Sequence, residues 1–262
     1  MSPPTPLSCA PGFDRWQLPA HVAQAVWRGT EVGAAPGRTL PTGFAQLDAA
    51  LPGGGWPTQG LSEVLLAQSA LCEWRLLAPA LPGFVAGRNS RVYLVAPPKP
   101  PLAMGLAQLG LAPEQLVWID VKAPADSLWV AEQLIKSDAA GALLVWLPQA
   151  RPEQIRRLQV QALHCDAPVF VFRPEAALRD ASPAPLRVSV ALGKSWGIEL
   201  RIRKRRGASA DEVLHLRALP ANLHSVIPPR LHELQPIEVQ REQVLPAPGQ
   251  PLAAAQFQRS AH

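Results

Sequence analysis

Five short runs of apolar residues, Leu61–Leu66, Arg91–Ala96, Leu116–Ile119, Ala142–Leu147 and Pro168–Phe172, are rich in Val, Leu and Ile and nearly free of charge. Runs of this length without alternation suit strands buried on both faces, the situation in a parallel sheet covered by helices. Between them, Glu73–Val85, Leu102–Gly110, Ala125–Lys136 and Pro152–His164 carry apolar residues at three- and four-residue spacing and are expected to be the covering helices. Parallel neighbours need crossover connections, so strand and helix in alternation predict a doubly wound α/β sheet. The period then changes. Leu186–Leu192, Trp196–Arg203 and Glu212–Arg217 alternate in steps of two, with Trp196, Ile198, Leu200 and Ile202 on one face and Glu199, Arg201 and Arg203 on the other. These segments are expected to extend a mostly parallel sheet with antiparallel strands.

The thirty prolines gather at Met1–Gly12, Pro97–Pro101, Ser182–Pro185 and beyond Pro220. Proline fixes φ and offers no amide donor, so these stretches read as loops or tails. The chain accordingly divides into an N-terminal arm with a short helix and linker (residues 1–38), a core (39–219) and a flexible tail (220–262). With 48% hydrophobic and 17% charged residues, the 262-residue chain has apolar material for one sizeable core. A formal charge of +5 fits a polyanion partner and equally fits a solvated surface. Cys9, Cys72 and Cys165 are scattered and odd in number, so neither a disulfide framework nor a zinc site is expected. The start of the chain holds prolines where a signal peptide would carry a basic segment and an apolar run. No uncharged apolar stretch of about 18 residues exists, so no membrane span is expected and the reading is cytoplasmic.

The segment Leu40–Gly60, LPTGFAQLDAALPGGGWPTQG, is similar to the entry into the ATPase core of RecA-like recombinases. Thr42 and Gly43 are placed to start a short helix, Leu47 lies on its buried face, and Gly53–Gly55 supply a turn into the first core strand, which carries Glu63. The similarity runs from about Leu40 to Leu219. Within that group, VWRG at Val26–Gly29, the LPTGFAQLD start, GGGWP at Gly53–Pro57, VAPPKPP at Val95–Pro101 and ELRIRKRRG at Glu199–Gly207 most resemble the ImuA family of translesion-synthesis accessory proteins. The resemblance implies a role in damage-induced mutagenic DNA synthesis. It also implies partnership with an inactive Y-family polymerase relative of the ImuB type and, through that complex, with an error-prone replicative-type polymerase; RecA itself and single-stranded DNA are further candidates. A weaker relationship to SulA-like division inhibitors of the SOS response implies an alternative function.

A phosphate-binding loop needs glycines that let backbone amides wrap phosphate, a lysine for the outer phosphates and a hydroxyl for magnesium. In Leu66–Glu73 the two glycine positions are Leu66 and Leu71, the lysine position is Cys72 and the hydroxyl position is Glu73. The family's strand-end aspartate falls on Trp146, and its general-base glutamate near Pro97. No nucleotide, metal or catalytic residue is therefore expected, and the chain reads as a pseudo-ATPase. Gly193-Lys194-Ser195 imitates the end of such a loop, but Val188 and Ser189 supply no first glycine, and its place between two strands predicts a hairpin turn.

Three surfaces are candidates for contact. Arg201, Arg203, Lys204, Arg205 and Arg206 crowd five cations into six positions, which suits a single-stranded DNA path or a strand edge protected against pairing. Val22, Val26 and Trp27 stand at helical spacing, fitting either a partner-binding arm or packing onto the chain's own core. Leu231, Leu234 and Ile237 give the tail apolar anchors for a partner, the alternative being an end without a client. His164-Cys165-Asp166 lacks a second ligand set and reads as a structural turn. Trp74, Trp118, Trp129 and Trp146 are expected in the core, whereas Trp56 and Trp196, in or beside turns, are the better candidates for contact.

Overall fold

The computed structural model describes residues 38–88, 90–137, 141–194, 196–206 and 213–218. The expected arm with Val22, Val26 and Trp27, and the tail with Leu231, Leu234 and Ile237, lie outside the described residues.

A two-stranded ladder opens the core: β1 (Thr39–Leu40) pairs antiparallel with β2 (Trp56–Pro57), and α1 (Ala45–Ala50) lies between them in sequence. The helix begins just after Thr42 and Gly43, with Phe44 as its N-cap and no side-chain cap. The Thr42 hydroxyl accepts a hydrogen bond from the Phe44 amide, Asp48 Oδ1 accepts one from the Thr42 amide at 2.8 Å, and Leu47 is fully buried. Gly43 has φ +84°, and a Cβ built on it would stand 2.4 Å from Pro79 Cβ. Gly43→Ala combines a left-handed conformation with overpacking and is expected to cost about 2 kcal/mol, read as a lower denaturation midpoint at unchanged slope.

The main sheet has eight strands in the order β10-β9-β8-β3-β7-β6-β4-β5. They are β3 (Leu61–Leu66), β4 (Val92–Val95), β5 (Leu116–Ile119), β6 (Ala142–Trp146), β7 (Val169–Pro174), β8 (Leu186–Leu192), β9 (Ile198–Lys204) and β10 (Val213–Leu216). From β8 to β5 all neighbours are parallel, and β9 and β10 add an antiparallel pair at one edge. This is the doubly wound, mostly parallel α/β sheet with an antiparallel C-terminal extension that the apolar runs predict. Every residue of β3 and β6 is buried, which is why neither alternates in sequence.

The covering helices include α2 (Glu73–Leu77), α3 (Leu81–Arg88), α4 (Ala103–Gln108), α5 (Pro124–Lys136) and α6 (Pro152–Ala162). One expectation is corrected here: Glu73–Val85 is two helices. Pro79 cannot donate to the ladder and its ring crowds the preceding turn, so α2 stops at Leu77, and α3 restarts with Pro82 in its first turn, where a missing amide proton costs nothing. Helix α5 buries Leu128, Ala131 and Ile135, and its Glu132 is ion-paired with Arg157 of α6. No described helix is long and apolar enough to cross a membrane.

The tryptophans sort differently from expectation. Trp56 is fully buried, edge-on against Phe170 with ring centroids 5.3 Å apart, because the small ladder folds its turn onto the core. Trp118 and Trp129 are exposed: the first sits on the edge strand β5, and the second falls outside the Leu128–Ala131–Ile135 stripe of α5. Trp146 is buried, Trp74 is half-buried against the core, and Trp196 is exposed at φ +65° beside the β8–β9 turn.

Candidate functional site

Strand β3 leaves the sheet at Leu66, and the turn that follows is exposed from Ala67 to Leu71 before the chain dips inward at Cys72 and Glu73. Ala70 takes φ +67°, which swings its amide back toward the start of α2. There the Glu73 side chain meets three donors. The Ala70 amide donates to Oε1 at 2.7 Å, the Cys72 amide to Oε2 at 3.1 Å, and the indole Nε1 of Trp146 to Oε1 at 3.2 Å. Glu73 is only 2% exposed, so this carboxylate depends on those bonds in place of hydration. Trp146 ends β6 and is held by stacking on Phe172 of β7, centroids 4.6 Å apart and planes 23° apart. The loop thus carries an anion clasped by backbone amides, and the anion is its own. Burial first, and then the Glu73 carboxylate, push the Cys72 thiol above its ordinary pKa, so this position is uncharged at neutral pH.

Of the positions singled out in the sequence, the structure brings Cys72, Glu73 and Trp146 together beside Leu66, while Leu71 points outward, 39% exposed. In the sequence, Glu73 stands where a phosphate loop needs a hydroxyl. The geometry adds that its carboxylate already accepts the loop amides.

Sequence reading missed a second charged cluster beneath the same strands. Glu63 of β3 is fully buried between Arg173 of β7 and Arg187 of β8, with Arg173 Nη1 2.8 Å from Oε1 and Arg187 Nε 2.9 Å from Oε2. Arg173 also donates to the Ala150 carbonyl at 2.6 Å and pairs with Asp180 at 3.0 Å; Arg187 donates to the carbonyls of Ala177 and Asp180. Two guanidinium groups thus face two carboxylates, and the arginines tie the segment after β7 to the sheet. The signal was available: three charges sit within strands that must be buried, and such charges survive only in pairs.

The five-cation run is also resolved. Alternation in β9 buries Ile198, Leu200 and Ile202 and leaves Arg201 and Arg203 half-buried on the opposite face. Arg203 Nε donates to Ser189 Oγ at 2.9 Å, Lys204 Nζ to the Ser182 carbonyl at 2.6 Å, and Arg205 to the Ala50 carbonyl, while Arg206 is exposed. Desolvation, then the nearby Arg187, hold the Lys204 ammonium below its ordinary pKa. Gly193-Lys194 forms the expected hairpin turn, with Gly193 N donating to the Gly197 carbonyl at 3.0 Å. Asp166 accepts hydrogen bonds from Arg38 at 2.6 Å and Gln59 at 3.1 Å, so it fastens the start of the core.

No protein-family model and no curated protein sequence matches the chain. Among solved structures, a KaiC-like protein from the hyperthermophilic archaeon Pyrococcus horikoshii superposes with a TM-score of 0.50, at 13% identity, over 69% of this chain and 95% of that one. The fold is RecA/KaiC-like. In a RecA-like core, phosphates are held at the turn after the central strand by free amides, a lysine and a hydroxyl next to it. Here a magnesium-bound triphosphate would have to displace the Glu73 carboxylate from the Ala70 and Cys72 amides, and would find a neutral thiol and a carboxylate where it needs an ammonium and a hydroxyl. The residues of this turn do not fit that group.

Proposed function

We propose that this RecA-like chain is a non-catalytic adaptor in damage-induced mutagenic translesion synthesis. In this reading it joins an inactive Y-family polymerase of the ImuB type, and through it an error-prone replicative-type polymerase, to the recombinase and to DNA. The observation that carries the non-catalytic part is the Glu73 carboxylate seated on the loop amides and on Trp146. A scaffold that keeps its core while its phosphate turn is occupied by an internal carboxylate is suited to presenting surfaces, because function resides in sites rather than in folds. The place in translesion synthesis rests on the ImuA-like motifs at Val26–Gly29, Val95–Pro101 and Glu199–Gly207.

Two measurements test the two halves. Titration with magnesium-ATP up to millimolar concentration is expected to give no heat and no thermal stabilisation, whereas a Kd of 10 μM would raise stability by roughly 2.7 kcal/mol at a hundredfold excess of ligand. Co-purification with the polymerase-like partner is expected for the full chain. Its absence with and without residues 220–262 would refute the adaptor role.

A further inference from the structure

We infer that Arg201 and Arg203 form a two-step phosphate ladder along β9, and that its ligand is the phosphodiester backbone of single-stranded nucleic acid. The inference rests on the reading above that the chain meets DNA, and it narrows the run of five cations to the two that share one cavity.

Of the five cations in the run, Lys204 and Arg205 are committed to the backbone carbonyls of Ser182 and Ala50. Arg201 and Arg203 line a cavity of about 190 Å³ on the face of β8 and β9 opposite the Leu200 and Ile202 side chains, together with Ser189, Val213, Glu175 and Glu199. Arg203 is steadied there by Ser189 Oγ, which fixes its guanidinium plane at low entropic cost. Residues two apart on a strand repeat at roughly 6.6 Å, a step of the same order as that between consecutive phosphates on an extended backbone. Both cations stand on one strand, two residues apart, and are spaced for consecutive phosphates of one backbone. The carboxylates in the same cavity oppose a phosphate. Glu199 Oε1 lies 3.6 Å from Nδ1 of His215 of β10, and Glu175 lines the same cavity. They weaken binding, so their removal has a predictable sign.

The test is fluorescence anisotropy of a labelled oligothymidylate and of its duplex with oligoadenylate, using the full chain over a series of salt concentrations. The Arg201→Gln, Arg203→Gln double variant is expected to reduce the slope of log K against log salt by about 1.4, since each lost single-strand phosphate contact removes about 0.7. Glu199→Gln is expected to tighten binding several-fold while leaving the cations in place, and the duplex is expected to bind more weakly than the single strand. If the double variant keeps the wild-type slope and the loss appears instead in Lys204→Gln, Arg206→Gln, the ladder is wrong while DNA contact stands. Equal binding of the duplex overturns the single-strand assignment. If the unmodified chain binds neither oligomer, DNA contact itself fails.

Discussion

Glu63→Gln is expected to remove about 3–5 kcal/mol of stability, because it strips a fully buried carboxylate from between Arg173 and Arg187 and leaves two buried guanidinium groups short of a counter-charge. For a chain of this size the change corresponds to a fall in Tm on the order of 10 °C. The side chains differ by one atom's identity and little volume, so the loss reports charge and not packing. Asp180 cannot compensate: it pairs with Arg173 from a side chain 44% exposed and does not reach Arg187 through its carboxylate. Replacing all three members with Leu and Met should recover part of the loss, since the desolvation cost of the charges disappears with them. Recovery stays incomplete because the carbonyls of Ala150 and Ala177 lose the arginines that serve them. A Glu63→Gln variant within 1 kcal/mol of the parent in urea would show that the cluster is not held by its central charge.

Glu73→Ala is expected to cost about 3 kcal/mol. It strands the amides of Ala70 and Cys72 and the indole of Trp146 together, and hydrogen bonds to a charged acceptor contribute about 1.5–3 kcal/mol each without adding fully. Glu73→Gln should lie between, because its one carbonyl oxygen can serve only one side of the clasp. Trp146→Phe should lose less still, since the carboxylate keeps both backbone amides. The chemical outcome is as important as the stability. Emptying the clasp frees two amides but supplies neither an ammonium at Cys72 nor a hydroxyl at Glu73, so magnesium-ATP is not expected to bind the alanine variant. Binding with a Kd below about 100 μM would mean that the internal carboxylate alone had closed a competent nucleotide site.

Several features could be read from one dimension. The runs at Leu61–Leu66 and Ala142–Leu147, uncharged but for Glu63, announced doubly buried strands because they lack polar alternation, and the alternation of Ile198, Leu200 and Ile202 with charged neighbours announced a half-covered strand. The loop residues Leu66, Leu71, Cys72 and Glu73 could be set one by one against the pattern of a phosphate loop because the spacing of that motif is local. Prolines were the part misread. Pro79 and Pro82 sit inside an apolar periodicity that looks continuous, and the periodicity concealed the break their geometry imposes.

What each side chain is used for was decided only by folding. Glu73 and Trp146 are 73 residues apart; the first opens the helix after β3, the second ends β6, and β7 lies between those two strands, so their hydrogen bond exists only once three strands are in register. The same holds for Glu63, Arg173 and Arg187, which span 124 positions and meet because β3 lies between β7 and β8. Exposure followed the same division: Trp56 looked free beside its turn and is fully enclosed, whereas Trp118 is exposed because β5 became an edge. Local sequence determined which segments become strands and helices and which side chains the loop after β3 carries, since period and backbone sterics act over a few residues. The tertiary structure alone decided which charges are paired, which anion the loop holds and which cations face a cavity, because those depend on neighbours that only the order of strands supplies.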